Sequence, residues 1–392
     1  MTRFRHAAAP AVIGALMVLV ARTPGRAAEW YVESTLQLQG VADSNPTLAT
    51  HNESPIAGGV LTPQVKIGRR TDQLDLSLIG KADFNGYAVN SDLSSIDERV
   101  GFHGSYQTEL SQFGLDSEFN RDTILDNIED NRGQFTKAVR VTTVSVSPSW
   151  SYQVTPLDHL DFLSGYTDKA YDSDDLTDYV YYYGSVTWSR LLSETESFTS
   201  RLSVARFEPD DSVDTRTNTL AYLVGWSGDI SERFHLDASA GPEFDMTSSD
   251  QFGGRNDTDN RFGYQADMRA VYLVNELTKL VGSYSHKSEP SSSGETIVRD
   301  RVGLSVEYRW SPLMTLHLTG NYVGNETGGS NQDDFRQYFS IEPGVTWRLE
   351  RDLDLSASYR YRNQSFHDDS DADSNSFLMT LTYRLPRLTW SE

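Results

Sequence analysis

The feature that most constrains how this chain folds is strict alternation of apolar and polar side chains over whole segments. It is clearest in residues 302–310, 353–362 and 377–385, where every second residue is apolar. Successive side chains of a β-strand point to opposite faces, so this pattern predicts long strands with one apolar and one polar face. The same alternation recurs almost from end to end. The predicted fold class is therefore all-β.

We count about eighteen such strands. They begin near Trp30, Leu61, Leu74, Val100, Phe113, Val144, Leu160, Val180, Phe198, Leu220, Phe234, Phe262, Leu280, Val302, Met314, Phe335, Leu353 and Phe377. Brief connections, such as 70–72, 109–111, 311–313 and 350–352, alternate with longer polar ones. The sequence thus predicts a transmembrane antiparallel up-and-down β-barrel with short periplasmic turns and long extracellular loops. A secreted β-repeat protein is the alternative.

Five tryptophans share one position in this pattern. Each lies on the apolar face, at the end of a strand that runs into a short turn: Trp150, Trp188, Trp226, Trp310 and Trp347. Aromatic residues ring the membrane interfaces of transmembrane barrels, so these residues predict a periplasmic girdle. A soluble β-sandwich also buries alternate residues, but its strands are short and joined by Greek-key connections.

The N-terminal segment has the layout of a secretory signal peptide. Basic residues precede an uncharged apolar run, 7–21, and a polar stretch with small residues follows. A membrane anchor is the alternative, but the run is shorter than the ~20 apolar residues that a spanning helix needs. We expect cleavage after Ala27. The chain then consists of a signal peptide, 1–27, and an outer-membrane β-barrel, 28–392, which locates the mature protein in the cell outer membrane.

Composition excludes several classes of protein. The chain has 34 Lys and Arg against 56 Asp and Glu, a formal charge of −22, and no cysteine. The basic footprint of a nucleic-acid binder is missing, and thiolate metal sites and disulfides are excluded. The acidic surplus lies mostly in the predicted long loops, such as 172–175, 210–214 and 368–373, where it indicates solvated loop surface.

Two sets of residues on the polar faces are candidates for guiding a substrate. The first set is Arg309, Arg348 and Arg384 near the periplasmic ends of the last strands, with Arg336, Arg360 and Arg362 near the outer ends. Guanidinium groups bind carboxylates and phosphates, so they would guide a charged glycan; pairing with internal carboxylates is the alternative. The second set, Tyr179, Tyr181 and Tyr183, would form an inward column that stacks on sugar rings or packs against a plug-like loop.

A hydrolase and a metal site are both disfavoured. His103 and Ser105 give a His-x-Ser spacing that resembles the outer-membrane phospholipase family, with Asn120 as a third member. In that family the pair faces lipid, whereas the alternation here turns both residues inward. The acids of 369–373 have the spacing of a calcium loop but lack its turn glycine and bidentate glutamate. We predict no enzyme, no catalytic residues, no metal and no cofactor.

The start of the predicted barrel resembles a known group of proteins. Ser34-Thr-Leu-Gln-Leu-Gln-Gly-Val-Ala-Asp-Ser-Asn-Pro46 and Gly59-Val-Leu-Thr-Pro-Gln-Val65 look like the opening of the β-barrel porin type 2 group. Phe113-Gly-Leu-Asp116, Arg121-Asp-Thr-Ile-Leu125 and Val146-Ser-Pro-Ser-Trp-Ser-Tyr152 are also similar to it. The group's usual paired acid before the asparagine is here Asp43-Ser44-Asn45. The resemblance implies an outer-membrane barrel associated with export or surface handling of a polysaccharide, without catalytic residues.

Together these observations predict a porin-like channel, for export or surface handling of an exopolysaccharide. Barrels of roughly 16 to 18 strands leave an aqueous lumen. Two alternatives stay open: an interaction barrel with a plugged lumen, whose acidic loops bind surface polymer or a partner, and a general porin for small solutes. The expected partners are outer-membrane lipid, lipopolysaccharide, the barrel-assembly machinery and a polysaccharide; no nucleic acid is expected.

Overall fold

The computed structural model describes residues 28–127, 138–212, 214–251, 255–327, 336–366 and 371–391. The predicted signal peptide lies outside these residues.

The strands are β1 (Glu29–Asp43), β2 (Ile56–Arg70), β3 (Leu74–Val89), β4 (Ser95–Gln107), β5 (Ser111–Thr123), β6 (Arg140–Gln153), β7 (Asp158–Tyr171), β8 (Tyr179–Leu191), β9 (Glu196–Pro209), β10 (Arg216–Ser231), β11 (Phe234–Gln251), β12 (Arg255–Asn275), β13 (Thr278–Pro290), β14 (Thr296–Ser311), β15 (Met314–Thr327), β16 (Arg336–Glu350), β17 (Leu353–Phe366), β18 (Asp371–Arg384) and β19 (Leu388–Ser391). Two short 3-10 helices occupy Ser91–Leu93 and Ile124–Asn127. Within the described ranges, no helix is long and apolar enough to cross a membrane.

The first eighteen strands form one closed antiparallel barrel. Each strand pairs with its neighbours in sequence, and β1 closes the barrel by pairing with both β2 and β18. The register places Leu38 between Leu61 and Leu381. Closure pairs every one of these strands with two neighbours, as a sheet that spans a membrane requires. The structure confirms the predicted fold class and strand number.

The short strand β19 continues the eighteenth strand after an interruption. β18 ends at Arg384, and Pro386, which has no N–H to donate, precedes the residues that resume pairing with β1. Trp390 of β19 stacks on Trp30 of β1, with ring centroids 6.4 Å apart. β19 is therefore the tail of the last wall strand.

The two faces of the wall differ as the alternation predicts. Leu36, Leu38 and Phe377 point outward and are exposed. Gln37 and Gln39, between the two leucines, line the interior. An apolar outer belt around a polar inner surface is the arrangement of a transmembrane barrel.

The connections alternate in length and define two ends of the barrel. At the short-turn end the strands are joined by segments such as 232–233, 312–313 and 351–352, whereas the long-loop end carries 44–55 and 124–139. The tryptophans of the predicted girdle lie at the short-turn ends of β6, β8, β10, β14 and β16: Trp150, Trp188, Trp226, Trp310 and Trp347. The structure therefore places all five at the short-turn end of the barrel.

Most strands that descend from the long-loop end begin earlier than the sequence predicts. β12 begins at Arg255 rather than near Phe262, and β14 at Thr296 rather than near Val302. The loops at this end are correspondingly shorter than predicted, as in 291–295. Apolar alternation marks only the part of a strand that faces lipid, whereas the hydrogen-bonded strand continues beyond it with polar residues.

The interior is filled unevenly along the barrel axis. Of the buried polar residues in the described part of the chain, only Ser77 and Asp354 lie in the half nearer the short turns. In that same half the inward-facing side chains of His103 and Asp116 are 51% and 63% exposed. The interior is therefore packed toward the long loops and open to solvent toward the short turns.

Candidate functional site

The candidate site is the inner face of the barrel, and its short-turn end carries three of the predicted arginines. Arg384 donates to one carboxylate oxygen of Asp354 at 2.5 Å, and Arg348 lies 3.9 Å from the other. Both arginines are more than half exposed, at 51% and 59%. Arg309 is also exposed and donates to the backbone carbonyl of Glu276. This end thus presents two solvent-facing cations around one shared carboxylate.

The other three arginines lie in the long-loop half, as predicted, but two of them are buried. Arg336 is 1% exposed and donates to Gln364 Oε1 at 3.0 and 2.6 Å. Arg362 is buried as well. Arg360 donates to Glu342 at 2.6 Å and remains 39% exposed. Arg336 and Arg362 therefore make internal pairs that brace the wall, and of these three Arg360 is the one that faces open space.

Asp43 is a central residue of this half to which the sequence analysis gave no role. Its carboxylate accepts hydrogen bonds of 2.6 Å from Arg362, from Ser374 Oγ and from Ser376 Oγ. It also accepts the backbone N–H of Asn45 at 2.9 Å. The sequence signal that marks Asp43 is the segment Asp43-Ser44-Asn45, which lies in the stretch that resembles the porin group. Asp43 joins β1 to β17 and β18, the strands at the closing seam.

Asn45 folds the β1–β2 loop into the lumen. Its side-chain amide donates to the carbonyls of Ala49 at 2.9 Å and Asp373 at 3.2 Å, and its Oδ1 accepts from the Ala49 N–H at 3.0 Å. The resulting turn holds Leu48 at a φ of 49° with no exposed surface. Leu48 packs on the inner face of β15, β16 and β18. The loop therefore covers that side of the lumen.

The outer part of the β13–β14 hairpin also turns inward. It reaches the β7–β8 connection, six strands away around the wall, where the Thr177 N–H donates to the Ser292 carbonyl at 2.8 Å. Glu289, Arg299 and Arg301 of the hairpin and residues of β7 and β8 enclose a cavity of about 270 Å³. This hairpin therefore crosses the lumen in its long-loop half.

The three tyrosines of β8 point inward as predicted. Tyr183 lies over Gly165 of β7, and its hydroxyl is 2.7 Å from Ser147 Oγ. Tyr179 packs edge-on against Phe207, with ring centroids 5.3 Å apart. Tyr181 borders the cavity beside the inward hairpin. Tyr183 thus packs within the inner wall, whereas Tyr179 and Tyr181 both border the cavity next to a plug-like element.

A second cavity, of about 670 Å³, lies in the long-loop half beside β1 to β5. Its lining includes two ion pairs, Lys81 with Asp83 at 2.7 Å and Arg99 with Glu118 at 2.5 Å. Side-chain amides are also part of the lining: Gln37, Gln39, Asn85 and Asn120. The volume falls within the range of roughly 300 to 1,000 Å³ that is typical of small-molecule sites. The cavity offers donors and acceptors in close alternation, which suits a small hydrated solute.

The His-x-Ser motif does not form a catalytic arrangement. His103 Nδ1 contacts Asp116 at 2.7 Å, and Asn120 donates to Asp122 at 2.6 Å. Within the described ranges no hydrogen bond joins His103 to Ser105, so the nucleophile lacks its base. The described residues also contain no group of three or more side chains suited to hold a metal ion. The acids of 369–373 lie partly outside the described residues.

Comparison with known proteins places the fold. No family model matches the chain, and no curated protein matches it. Among solved structures it is similar to the ferric citrate transporter FecA in its unliganded form, with a TM-score of 0.52 and 11% identity over 92% of this chain and 70% of that one. It is also similar to the copper transporter OprC, with a TM-score of 0.51 and 10% identity over 87% of this chain and 63% of that one. A third similar structure is the FrpB iron transporter from Neisseria meningitidis, with a TM-score of 0.50 and 8% identity over 86% of this chain and 63% of that one.

This chain thus spans 63% to 70% of the length of these three proteins. At such low identity the likeness establishes the fold alone, which is that of outer-membrane β-barrels. The resemblance to the β-barrel porin type 2 group stays a prediction, because no family model matches.

Proposed function

We propose that this protein is a porin-like, non-enzymatic channel of the outer membrane, with its short-turn end in the periplasm. The observation that carries the proposal is the polar, solvent-exposed inner face of a closed eighteen-strand barrel, where Asp116 keeps 63% of its side chain exposed. Barrels of roughly 16 to 18 strands leave an aqueous lumen. The apolar outer belt and the tryptophans near the short-turn ends of five strands support placement in a bilayer.

Single-channel recording in planar bilayers tests this proposal. Protein purified from outer membranes and shown to be folded by heat-modifiable gel mobility is expected to give discrete open steps in salt solution. Folded protein that inserts but gives no steps would overturn it. Heat-denatured protein from the same preparation is the matched control, because it retains the sequence without the barrel.

The finer proposal is that the channel passes an anionic polysaccharide. Arg348 and Arg384, both more than half exposed around the single carboxylate of Asp354, support it. Guanidinium forks bind carboxylates and phosphates, so the periplasmic mouth is suited to such a polymer. The resemblance to a group that includes proteins of exopolysaccharide operons is the second support.

Block of the open channel by oligosaccharides tests the finer proposal. Acidic oligosaccharides added at the short-turn side are expected to interrupt the current, and Arg348→Gln with Arg384→Gln is expected to shorten the blocks. Arg206→Gln is the matched control, because Arg206 lies near the long-loop end and pairs with Glu208 there. Equal block by neutral and acidic sugars, unchanged in the double variant, would leave a general small-solute porin.

A second candidate function is an interaction barrel with a plugged lumen. Packing in the long-loop half favours it, because the inward loop around Leu48 and the inward β13–β14 hairpin both occupy the interior. Such a barrel would bind surface polymer through its acidic loops without conducting. A silent but folded barrel that retains added polysaccharide on liposomes would identify this function.

We also propose how the protein reaches its membrane. Residues 1–27 are removed as a signal peptide after Ala27, the barrel-assembly machinery inserts the remaining chain, and lipid and lipopolysaccharide surround its apolar belt. The exposed outward-facing leucines and aromatic residues support contact with lipid. N-terminal sequencing of the membrane-bound protein tests the cleavage: a mature chain that begins at Ala28 is expected, and one that retains Met1 would contradict it.

A further inference from the structure

The wall between β12 and β13 is paired only in its short-turn half. The last pair is Ala266 with His286. Beyond it, β12 continues to Arg255 beside β11 alone, and β13 continues to Pro290 beside β14 alone. Tyr264 of β12 stacks on His286 at this point, with ring centroids 4.0 Å apart. The two strands therefore diverge above this aromatic contact.

Beyond this point β13 passes on the lumen side of β12. The backbone N–H and the hydroxyl of Ser288 donate to Glu243 Oε1 at 3.2 and 2.6 Å. The same hydroxyl donates to Asp245 at 2.9 Å. Glu243 and Asp245 are buried residues of β11, on the far side of β12 from β13. We call residues 287–296 the tip; Ser288 anchors it to the inner face of β11.

The tip is held across the lumen by contacts that water can replace. One is the hydrogen bond from the Thr177 N–H to the Ser292 carbonyl. The hydroxyls of Ser292 and Thr296 are buried without a hydrogen-bond partner, which makes the docked position incompletely satisfied. Contacts of this kind hold the tip less firmly than an apolar core would hold it.

A second position is open to the tip. If the register of Ala266 with His286 continued, Gly263 would face Glu289, and the free edges of β12 and β13 would complete their ladder. The backbone groups along the two edges would then bond to each other, as in the rest of the wall, in place of contacts such as that of the Ser288 N–H with Glu243. The docked tip bonds to the inner face of β11, to the β7–β8 connection and to the Arg261 side chain of β12. In the competing position its partner is the backbone edge of β12.

We infer that the tip is a gate: docked on Glu243 and Thr177 it obstructs the lumen, and paired with the edge of β12 it widens the lumen. The effect on transport rests on the proposed channel function, whereas the movement itself does not. The absence of cysteine from the chain makes both parts testable with engineered disulfides.

The first test locks the docked position with Thr177→Cys and Gly294→Cys. A Cβ atom at Gly294 would lie 3.4 Å from Thr177 Cβ, close to the roughly 3.5 to 4.5 Å of a disulfide. The oxidised double variant is expected to conduct about half as much as the same protein after reduction, because conductance follows the open cross-section. Gly294 has a φ of 81°, so the Gly294→Cys single variant controls for strain. Equal conductance before and after reduction would overturn the gate.

The second test releases the tip with Glu243→Ala in the double-cysteine background. Loss of the acceptor for Ser288 is expected to slow disulfide formation and to raise the conductance of the reduced protein. Asp237→Ala is the matched control, because Asp237 lies on the same strand and accepts from Ser227 at 2.5 Å instead. Ser288→Ala, which keeps the backbone donor, is expected to act in the same direction with a smaller effect.

The two proposals fail in different ways. Disulfide formation is measured by gel mobility and needs no current, so it reports the position of the tip even in a silent barrel. If no variant conducts, the channel proposal fails. If the double-cysteine proteins that carry Glu243→Ala and Asp237→Ala form the disulfide at the same rate, the gate proposal is wrong, whatever their conductance.

Discussion

Asp43 and Arg362 form a buried ion pair of 2.6 Å between residues that are 319 positions apart in the chain. Their side chains are 8% and 7% exposed. Asp43 ends β1 and Arg362 lies in β17, so the pair forms only once the first strand has closed onto the last ones. The contact thus links closure of the barrel to burial of two charges.

Asp43→Ala is expected to destabilise the closed barrel by about 3 to 5 kcal/mol, because it leaves the buried Arg362 without its carboxylate. Urea unfolding of the protein in micelles, followed by heat-modifiable mobility, measures the change. Asp75→Ala is the control, because its partner Arg70 is 55% exposed and little change is expected. An Asp43→Ala protein that unfolds at the same urea concentration as the parent would contradict the role of this pair.

Gly165→Ala is expected to disturb β7, because the added Cβ would lie 2.1 Å from the ring of Tyr183. Gly40→Ala is the matched control, since no atom lies within 4 Å of a Cβ there. The double variant Gly165→Ala with Tyr183→Ala is expected to recover part of the loss, because the ring is removed. The thermal unfolding temperature of all three variants measures the change in stability. Equal losses for Gly165→Ala and Gly40→Ala would exclude the packing of the Tyr183 ring on Gly165.

Leu48→Ala is expected to loosen the inward β1–β2 loop while the barrel stays folded. Leu48 has no exposed surface, and truncation of a buried leucine typically costs about 2 to 5 kcal/mol of packing. Limited proteolysis should then cut within 44–55, with heat-modifiable mobility retained. Leu157→Ala, at an exposed leucine of a short turn, is expected to leave the cleavage pattern unchanged. Protection of the loop in the Leu48 variant would show that other contacts hold it.

Leu38→Arg and Gln37→Arg compare adjacent residues on opposite faces of β1. Leu38 is 56% exposed on the outer belt, where a charge near the bilayer midplane costs about 2 to 4 kcal/mol. Gln37 lines the interior and should accept the arginine. Yield of folded protein in the outer membrane measures the difference. Similar yields for the two variants would contradict the assignment of the faces.

The sequence predicts the wall well because each lipid-facing strand repeats its own pattern. β17 alternates over 353–362 and β18 over 377–384, so the faces of those parts could be assigned without any partner. The start of β12 could not be predicted, because residues 255–261 extend the strand without apolar alternation. Pairing with β11 keeps that segment in a strand.

The interior is harder to predict than the wall. The sequence identifies Arg362 and Arg336 as inward-facing, but their burial depends on Asp43 and Gln364 from other strands. Likewise, the inward β13–β14 hairpin follows from where its pairing to β12 stops, which no local pattern specifies. Contacts between distant segments decide which inward residues face water.

Thiol accessibility most directly tests the central claim, a hydrated lumen inside a membrane barrel. Single cysteines at Asp116, on the inner face, and at Leu115, on the outer face of the same strand, are compared in proteoliposomes with a membrane-impermeant reagent. We predict fast labelling of Asp116→Cys and slow labelling of Leu115→Cys, because solvent reaches the 63% exposed Asp116 and lipid covers Leu115. Equal labelling at the two positions, or faster labelling at Leu115, would contradict the claim.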